Sequence, residues 1–273
     1  MGEAAVRDGL ARAGLSPSDV GHLVFVTTTG VATPSLDARL VQRLGLPPSV
    51  KRTPMFGLGC LAGAAGLARA SDALRAFPDE VAVLLSVELC SLTLQPDDLS
   101  IPNVVATGLF GDGAAAVVLG GGARAPRAGA PRVVATRSVF YPDTGWVMGW
   151  DVVDSGFKIV LSAKVPEVVQ ERIGADVDAF LAGHGLGRRD VRHWIAHTGG
   201  PRVLEAFRAG LGLPEGALAR SWASLREVGN LSSASVLFVL GDHLAAAEAR
   251  PGELGVLAAM GPGFAAELVL LRW

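Results

Sequence analysis

Phe110-Gly-Asp-Gly-Ala-Ala-Ala-Val-Val-Leu119 is echoed near the other end of the chain by Met260-Gly-Pro-Gly-Phe-Ala-Ala-Glu-Leu-Val-Leu270. Each stretch is a Gly-x-Gly turn that runs into an apolar segment of the kind found in strands covered on both faces. Two halves that end in the same device imply a duplicated architecture. The Gly/Ala/Pro/Arg-rich stretch Gly120 to Arg132 is the natural join. The expected domains are therefore residues 1–132 and 133–273.

The elements around these two stretches alternate between strand and helix. Glu3 to Ala13 reads as a helix, His22 to Thr28 as a short apolar strand, and Leu36 to Leu44 as a helix broken by Gly45-Leu46-Pro47-Pro48. Cys60 opens a small-residue helix that reaches about Ala76, and Val81 to Val87 and Ala114 to Leu119 are buried strands. The second half repeats the plan. Val165 to Leu181, Pro201 to Leu211 and Ser232 to Ala247 read as helices, with strands at His193 to His197, Leu254 to Ala259 and Glu267 to Leu271. Alternation of this kind is the mark of an α/β fold.

Composition narrows the function. The chain has 273 residues, half of them apolar and only 18% charged, which excludes a solvating, disordered chain. A net charge of −2 gives no pull toward nucleic acid or an anionic membrane. The 21 Arg are scattered against 3 Lys (Lys51, Lys158, Lys164), and the one cluster, Arg188-Arg189 with Arg192, reads as a solvated turn. The most apolar run, Leu231 to Ala247, carries Ser232, Ser233, Asp242 and His243, so it is a buried helix and not a membrane span. Two Cys cannot form a disulfide framework, so a cytoplasmic location is expected. Met1-Gly2-Glu3 shows no secretion signal.

Three residues stand out chemically. Cys60 follows Gly57-Leu58-Gly59 at a helix start, where the helix dipole lowers a thiol pKa and the glycines permit a sharp turn. Most free cysteines are simply small buried hydrophobes. His197 ends an apolar strand in Trp194-Ile-Ala-His-Thr-Gly-Gly-Pro201, where α/β folds place their sites; a core His bonded to a carbonyl is the ordinary alternative. Asn230, in Val228-Gly-Asn-Leu-Ser-Ser-Ala-Ser235, is either a helix N-cap or a neutral donor to a thioester oxygen. His22, His184, His193 and His243 lack such settings and are expected to be structural or on the surface.

At these three sites the chain resembles the type III polyketide synthases, the chalcone and stilbene synthase family of the thiolase superfamily. The matching stretches run in family order: Pro48-Ser-Val-Lys-Arg52 with Gly59-Cys60, Leu109-Phe-Gly-Asp-Gly-Ala-Ala-Ala116, His197-Thr-Gly-Gly-Pro201, Gly229-Asn-Leu-Ser-Ser-Ala234 and Gly261-Pro-Gly263. The variants around Phe56-Gly-Leu-Gly-Cys60 and His-Thr-Gly-Gly are similar to bacterial members. The resemblance implies a thiolase-like fold, two α/β halves in α-β-α-β-α layers, and a Cys60, His197, Asn230 triad. It implies that the Cys60 thiolate, ion-paired with His197, takes an acyl group from an acyl-CoA. Malonyl-CoA then loses CO₂, and its enolate, held by His197 and Asn230, attacks the acyl thioester. No metal, flavin or carrier protein is implied; acyl-CoA and malonyl-CoA are substrates and the chain is expected to be a homodimer.

The same resemblance places Phe110 as a gatekeeper between the CoA tunnel and the cavity, and Ile159 where many plant members have a second gatekeeper Phe. Thr28, Cys90 and Thr93 would line the cavity, with Ser232 near the triad. Trp150 stands where small residues are familiar and would narrow the cavity, and Thr33 matches a position that crosses the dimer interface. For each, core packing is the competing explanation. A ketoacyl synthase III shares the Cys, His and Asn, but Gly229-Asn-Leu-Ser-Ser-Ala234 and the Phe110 block favour the polyketide synthases. A hydroxymethylglutaryl-CoA synthase would place a Glu general acid earlier than Glu88. Family chains carry a further N-terminal segment ahead of the position matching Met1, with basic residues for the CoA phosphates. The first half is therefore expected to be incomplete, with an uncovered sheet edge and exposed apolar surface. The rival expectation is an inactive remnant that only pairs with a longer partner.

Overall fold

The computed structural model describes residues 1–125 and 127–273; Pro126, inside the joining stretch, lies outside the described residues. In the first half, β1 (Val20–Val26) lies between β2 (Lys51–Met55) and β3 (Val81–Leu89), all parallel, and β4 (Asp112–Gly120) runs antiparallel to β3. In the second, β8 (Val191–Ala196) and β9 (Leu254–Gly261) are parallel, β10 (Ala265–Arg272) is antiparallel to β9, and β5 (Arg132–Phe140) is antiparallel to β10. Thus β1, β3 and β4 recur as β8, β9 and β10. In both halves the Gly-x-Gly turn feeds the antiparallel strand. The halves differ at one edge: β10 carries β5 beyond it, whereas among the described residues no strand pairs with the outer edge of β4.

Alternating side chains of the strands feed two different cores, which is why the runs are apolar without a break. Val24, Val26, Ala82 and Leu84 face a central layer of α3 (Ala62–Ala76) and α8 (Ser235–Ala246), which Ile195, Leu257, Ala259 and Val269 of the second sheet meet from the other side. Leu23, Phe25, Val83 and Leu85 face outward onto α1 (Gly2–Ala13) and the segment around α2 (Leu36–Leu44). Beyond the second sheet, α5 (Val165–Ala182) and α6 (Pro201–Leu211) pack on Val256, Leu268 and Leu270. The layers are α-β-α-β-α. The Ala/Gly content of α3 follows from its place between two sheets: a Cβ on Gly66 would come within 2.5 Å of Leu84 Cδ1.

Several elements escape the periodicity, and each has a physical reason. β2 is an exposed edge of Lys-Arg-Thr-Pro-Met with no alternation to read. The hairpin of β6 (Met148–Val153) and β7 (Gly156–Leu161) pairs only with itself. α4 (Ile101–Leu109) has inverted polarity, with Asn103 buried while Ile101 is 79% and Val104 58% exposed. α7 (Ala219–Val228) buries mainly serines, Ser221 and Ser224. Exposed Leu92, Leu99, Ile101, Val104 and Val105 form an apolar outer face along this segment. Among the described residues no helix is long and apolar enough to cross a membrane.

Candidate active site

The loops that leave β1, β2 and β3 at their C-terminal ends meet on one cavity, as expected where open α/β sheets place their ligands. β2 leads to Cys60, β1 to Thr28 and β3 to Cys90. β8 leads to His197, which is buried and, like Asn230, is not among the residues that line the cavity. The cavity has a volume of about 330 Å³. Cys60 and all seven residues expected to shape the pocket line it: Thr28, Cys90, Thr93, Phe110, Trp150, Ile159 and Ser232. Thr33 is on the exposed loop 30–34, away from it.

Cys60 lies in a single 3₁₀ turn, Gly59–Leu61, that runs into α3. Gly59 has φ +51°, and a Cβ there would lie 2.5 Å from Pro262 Cδ, so the Gly261-Pro-Gly263 turn of the second half packs directly on the turn bearing the thiol. Asn230 is fixed from both sides by backbone bonds, its N–H to Leu109 O (2.9 Å) and its carbonyl from Gly111 N–H (3.0 Å). That places it beside Phe110. Its Oδ1 accepts from Ser232 N–H at 2.8 Å and from Ser235 Oγ at 3.4 Å, which turns the amide N–H₂ toward the site. His197 follows β8, and Thr198 Oγ1 donates to Gly229 O at 3.5 Å, tying the His loop to the Asn loop. Cys60, His197 and Asn230 are all buried.

Burial dominates the electrostatics here. The Cys60 thiol is pushed up to about 12 by desolvation, with the Glu88 carboxyl adding to it, while hydrogen bonds from Ser232 and Asn230 pull it down. His197 is pushed down to about 4 by desolvation, and among the described residues neither ring nitrogen has a hydrogen-bond partner. The helix start argues for a lowered thiol, and the resemblance implies that it is paired with His⁺. Both shifts favour the uncharged thiol and the uncharged imidazole, because loss of water outweighs the dipole.

Glu88 is the main participant that sequence patterns did not assign a role. Its Oε2 accepts from Thr28 N–H (2.9 Å) and Thr29 Oγ1 (3.0 Å), and its Oε1 accepts from the Ser233 hydroxyl. Ser86 Oγ is 2.8 Å from Ser233 Oγ. This buried network binds the Thr28 loop, β3 and the Asn230 loop into one unit, and burial raises the Glu88 pKa against those bonds. Asn103, Ala106 and Thr107 of α4 and Met148 and Leu161 of the hairpin also line the cavity. Their (i, i+3, i+4) spacing on α4 was the available signal, hidden by that helix's inverted polarity. Asn103 donates to Gln95 O (2.8 Å) and Asp98 O (2.7 Å), and Gln95 is bonded in turn to Ser155 and Phe157 O, so one polar chain clamps α4 to the hairpin. Trp150 sits opposite Ile159 on the hairpin, and its Nε1 donates to Thr28 O (2.9 Å) and Oγ1 (3.2 Å). Phe157 stacks on it at 6.0 Å and 19°. Among the described residues no group of three or more His, Cys, Asp or Glu is placed to hold a metal ion.

The two halves touch closely at Gly63, where a Cβ would sit 2.1 Å from Ser233 O. Gly63→Ala is expected to cost about 1–3 kcal/mol in denaturant unfolding, because it overpacks a site lined by backbone. It must also push the Asn230–Ser233 loop away from Cys60. Unchanged stability with unchanged Cys60 reactivity would show that the loop can yield.

A buried cysteine, an unpartnered histidine and an oriented amide, set at the junction of two duplicated α/β halves, define a thiolase-like condensing acyltransferase. The comparisons carry this to a family. Residues 1–123 match the family of chalcone and stilbene synthases, N-terminal domain, and residues 132–273 the corresponding C-terminal domain. The chain belongs to the chalcone and stilbene synthase family, the type III polyketide synthases, which are acyltransferases. It is 56% identical over 274 residues to 1,3,6,8-tetrahydroxynaphthalene synthase of Streptomyces peucetius subsp. caesius, covering 100% of this chain and 72% of that protein. It is 41% identical to a putative chalcone synthase of Bacillus subtilis (strain 168), covering 93% of this chain and 71% of that one. The crystal structure of 1,3,6,8-tetrahydroxynaphthalene synthase from Streptomyces coelicolor A3(2) superposes with a TM-score of 0.94 at 34% identity, over 99% of this chain and 76% of that one.

Proposed function

We propose that the chain condenses a small acyl-CoA starter with malonyl-CoA through a thioester on Cys60. The observation that carries this reading is Cys60 in the cavity wall with the Asn230 amide hydrogen-bonded toward its sulfur, and a buried His197 at the end of β8. His197 takes the thiol proton, and the sulfur attacks the starter thioester carbon. Coenzyme A then leaves as the thiol, using that proton. Malonyl-CoA enters, its C–C bond to the carboxylate breaks, and CO₂ departs. The electron pair rests on the enolate oxygen, held by N–H donors from His197 and Asn230. The enolate carbon attacks the Cys60 thioester, the sulfur leaves, and the chain returns to coenzyme A two carbons longer. These steps draw on side chains alone, with no metal, flavin or carrier protein. A 56% identical relative named for a tetrahydroxynaphthalene supports a naphthalene-type product. A cavity of about 330 Å³, at the small end of ligand sites, suits a compact bicyclic ring better than a long alkylpyrone or alkylresorcinol chain. A cytoplasmic homodimer, with Thr33 on its exposed loop reaching the partner, is part of the same reading.

Incubation with a panel of acyl-CoAs followed by intact-protein mass spectrometry tests it. An acyl adduct on Cys60 supports independent catalysis. A folded chain that takes up no acyl group would leave it as a pairing partner only.

Trp150 sets the size of the product. Trp150→Gly removes the indole from the cavity and its bond to Thr28, and it is expected to shift adduct formation toward longer acyl-CoAs. Trp150→Phe keeps the bulk and loses the N–H. If the phenylalanine variant alone keeps the short-starter preference, volume decides; if both lose it, the Thr28 bond does.

A further inference from the structure

We propose that Ser232 is a hydrogen-bond donor that holds the Cys60 sulfur as a thiolate, keeping its own proton while the thiol proton passes to His197. The proposal rests on the reading of Cys60 as nucleophile and His197 as its base. Ser232 Oγ lies 3.8 Å from Cys60 Sγ, within reach of a sulfur hydrogen bond, and the serine is 3% exposed. Among the described residues the hydroxyl has no other partner. Its O–H is therefore free to point at the sulfur once a negative charge appears there, and charge-assisted bonds of this kind are the strong ones.

The backbone gives an independent reason. Ser232 has φ +50°, a left-handed conformation that a serine adopts at a cost and a glycine does not. The conformation is held by the bond from Ser232 N–H to Asn230 Oδ1 and by the 3₁₀ turn Ser232–Ala234. Strain of this sort, kept at a residue against the nucleophile, aims a side chain. The hydroxyl is also needed: desolvation and the Glu88 carboxyl both oppose the anion, and only the Ser232 and Asn230 hydrogen bonds and the local backbone favour it. The neutral His197 supplies a base but no bond to the thiol.

The test compares Ser232→Ala with Ser232→Gly by alkylating Cys60 with iodoacetamide between about pH 6 and pH 10, with peptide mapping to separate Cys60 from Cys90. Both variants are expected to slow Cys60 alkylation about tenfold at every pH in this range, as the thiolate fraction does when the thiol pKa rises by about one unit. Ser232→Gly, which relieves the left-handed strain, keeps its thermal midpoint. A profile unmoved in both variants overturns the proposal and assigns the hydroxyl to substrate. A shift in the alanine variant alone also overturns it, since backbone strain would then be the cause. The readout uses no acyl-CoA. A shifted profile in a chain that forms no acyl adduct leaves the donor role standing and removes the condensation reading.

Discussion

Cys60→Ala is expected to lose acyl capture altogether and to reduce turnover on the order of 10⁴-fold or more. The sulfur is the one protein atom in the proposed cycle that bonds covalently to the growing chain. Oriented donors at Asn230 and His197 can polarise a thioester without it, but no acyl group is then held while malonyl-CoA enters. Cys90 lines the same cavity and is a possible substitute. It is a poor one, since burial and nearby carboxyl groups push its thiol well above the ordinary range. Intact mass of wild type and variant after the same acyl-CoA incubation checks this. An adduct of equal yield on Cys60→Ala would move the nucleophile to Cys90 and undo the assignment.

His197→Gln is expected to lower turnover by about 10²–10⁴-fold, the usual worth of a base that also serves as an oxyanion donor. It should also change how the fold responds to acid. His197 is held neutral down to about 4, whereas an unfolded histidine takes up a proton near 6.5. Between those values the unfolded state binds more protons than the folded one, so stability falls as the pH drops through this window and is fully present above it. The shift corresponds to on the order of 3 kcal/mol across the window. His243 is likewise pushed down to about 4 by burial and acts in the same direction, so the variant keeps part of the acid sensitivity and loses the His197 share. Urea unfolding at pH 7.5 and pH 5 on both proteins measures it. Equal acid sensitivity in wild type and His197→Gln would mean that burial does not hold the imidazole neutral, and a wild type less acid-sensitive than the variant would mean that it is charged in the folded site, as an ion pair with Cys60 requires.

The chemistry of the site and the duplication of the fold were legible in the residues themselves. A thiol after two glycines, a histidine at a strand end and a Gly-Asn before a serine run need only short windows to be read. The two Gly-x-Gly turns that feed β4 and β10 announce the repeat in the same local way. Strands with both faces covered declare themselves as unbroken apolar runs. What stayed hidden depends on contacts between distant segments. α4 turns Asn103 inward because Gln95 and Asp98 carbonyls wait for it, and no periodicity encodes those partners. β2 is a strand because β1 pairs with it, not because Lys51–Met55 prefers to be one. Glu88 has a role only through Thr28, Thr29 and Ser233, which lie about 60 and 145 residues away in the chain. The largest reversal is electrostatic. Sequence places Cys60 at a helix start, where the dipole favours a thiolate, but the sequence cannot say how much water the second half excludes. By packing Gly261-Pro-Gly263 and Ser232 around that turn, the tertiary structure removes the water and favours the neutral thiol, as burial favours the neutral imidazole of His197. The residue types fix which chemistry is available; the desolvation set by the fold decides the protonation state from which it starts.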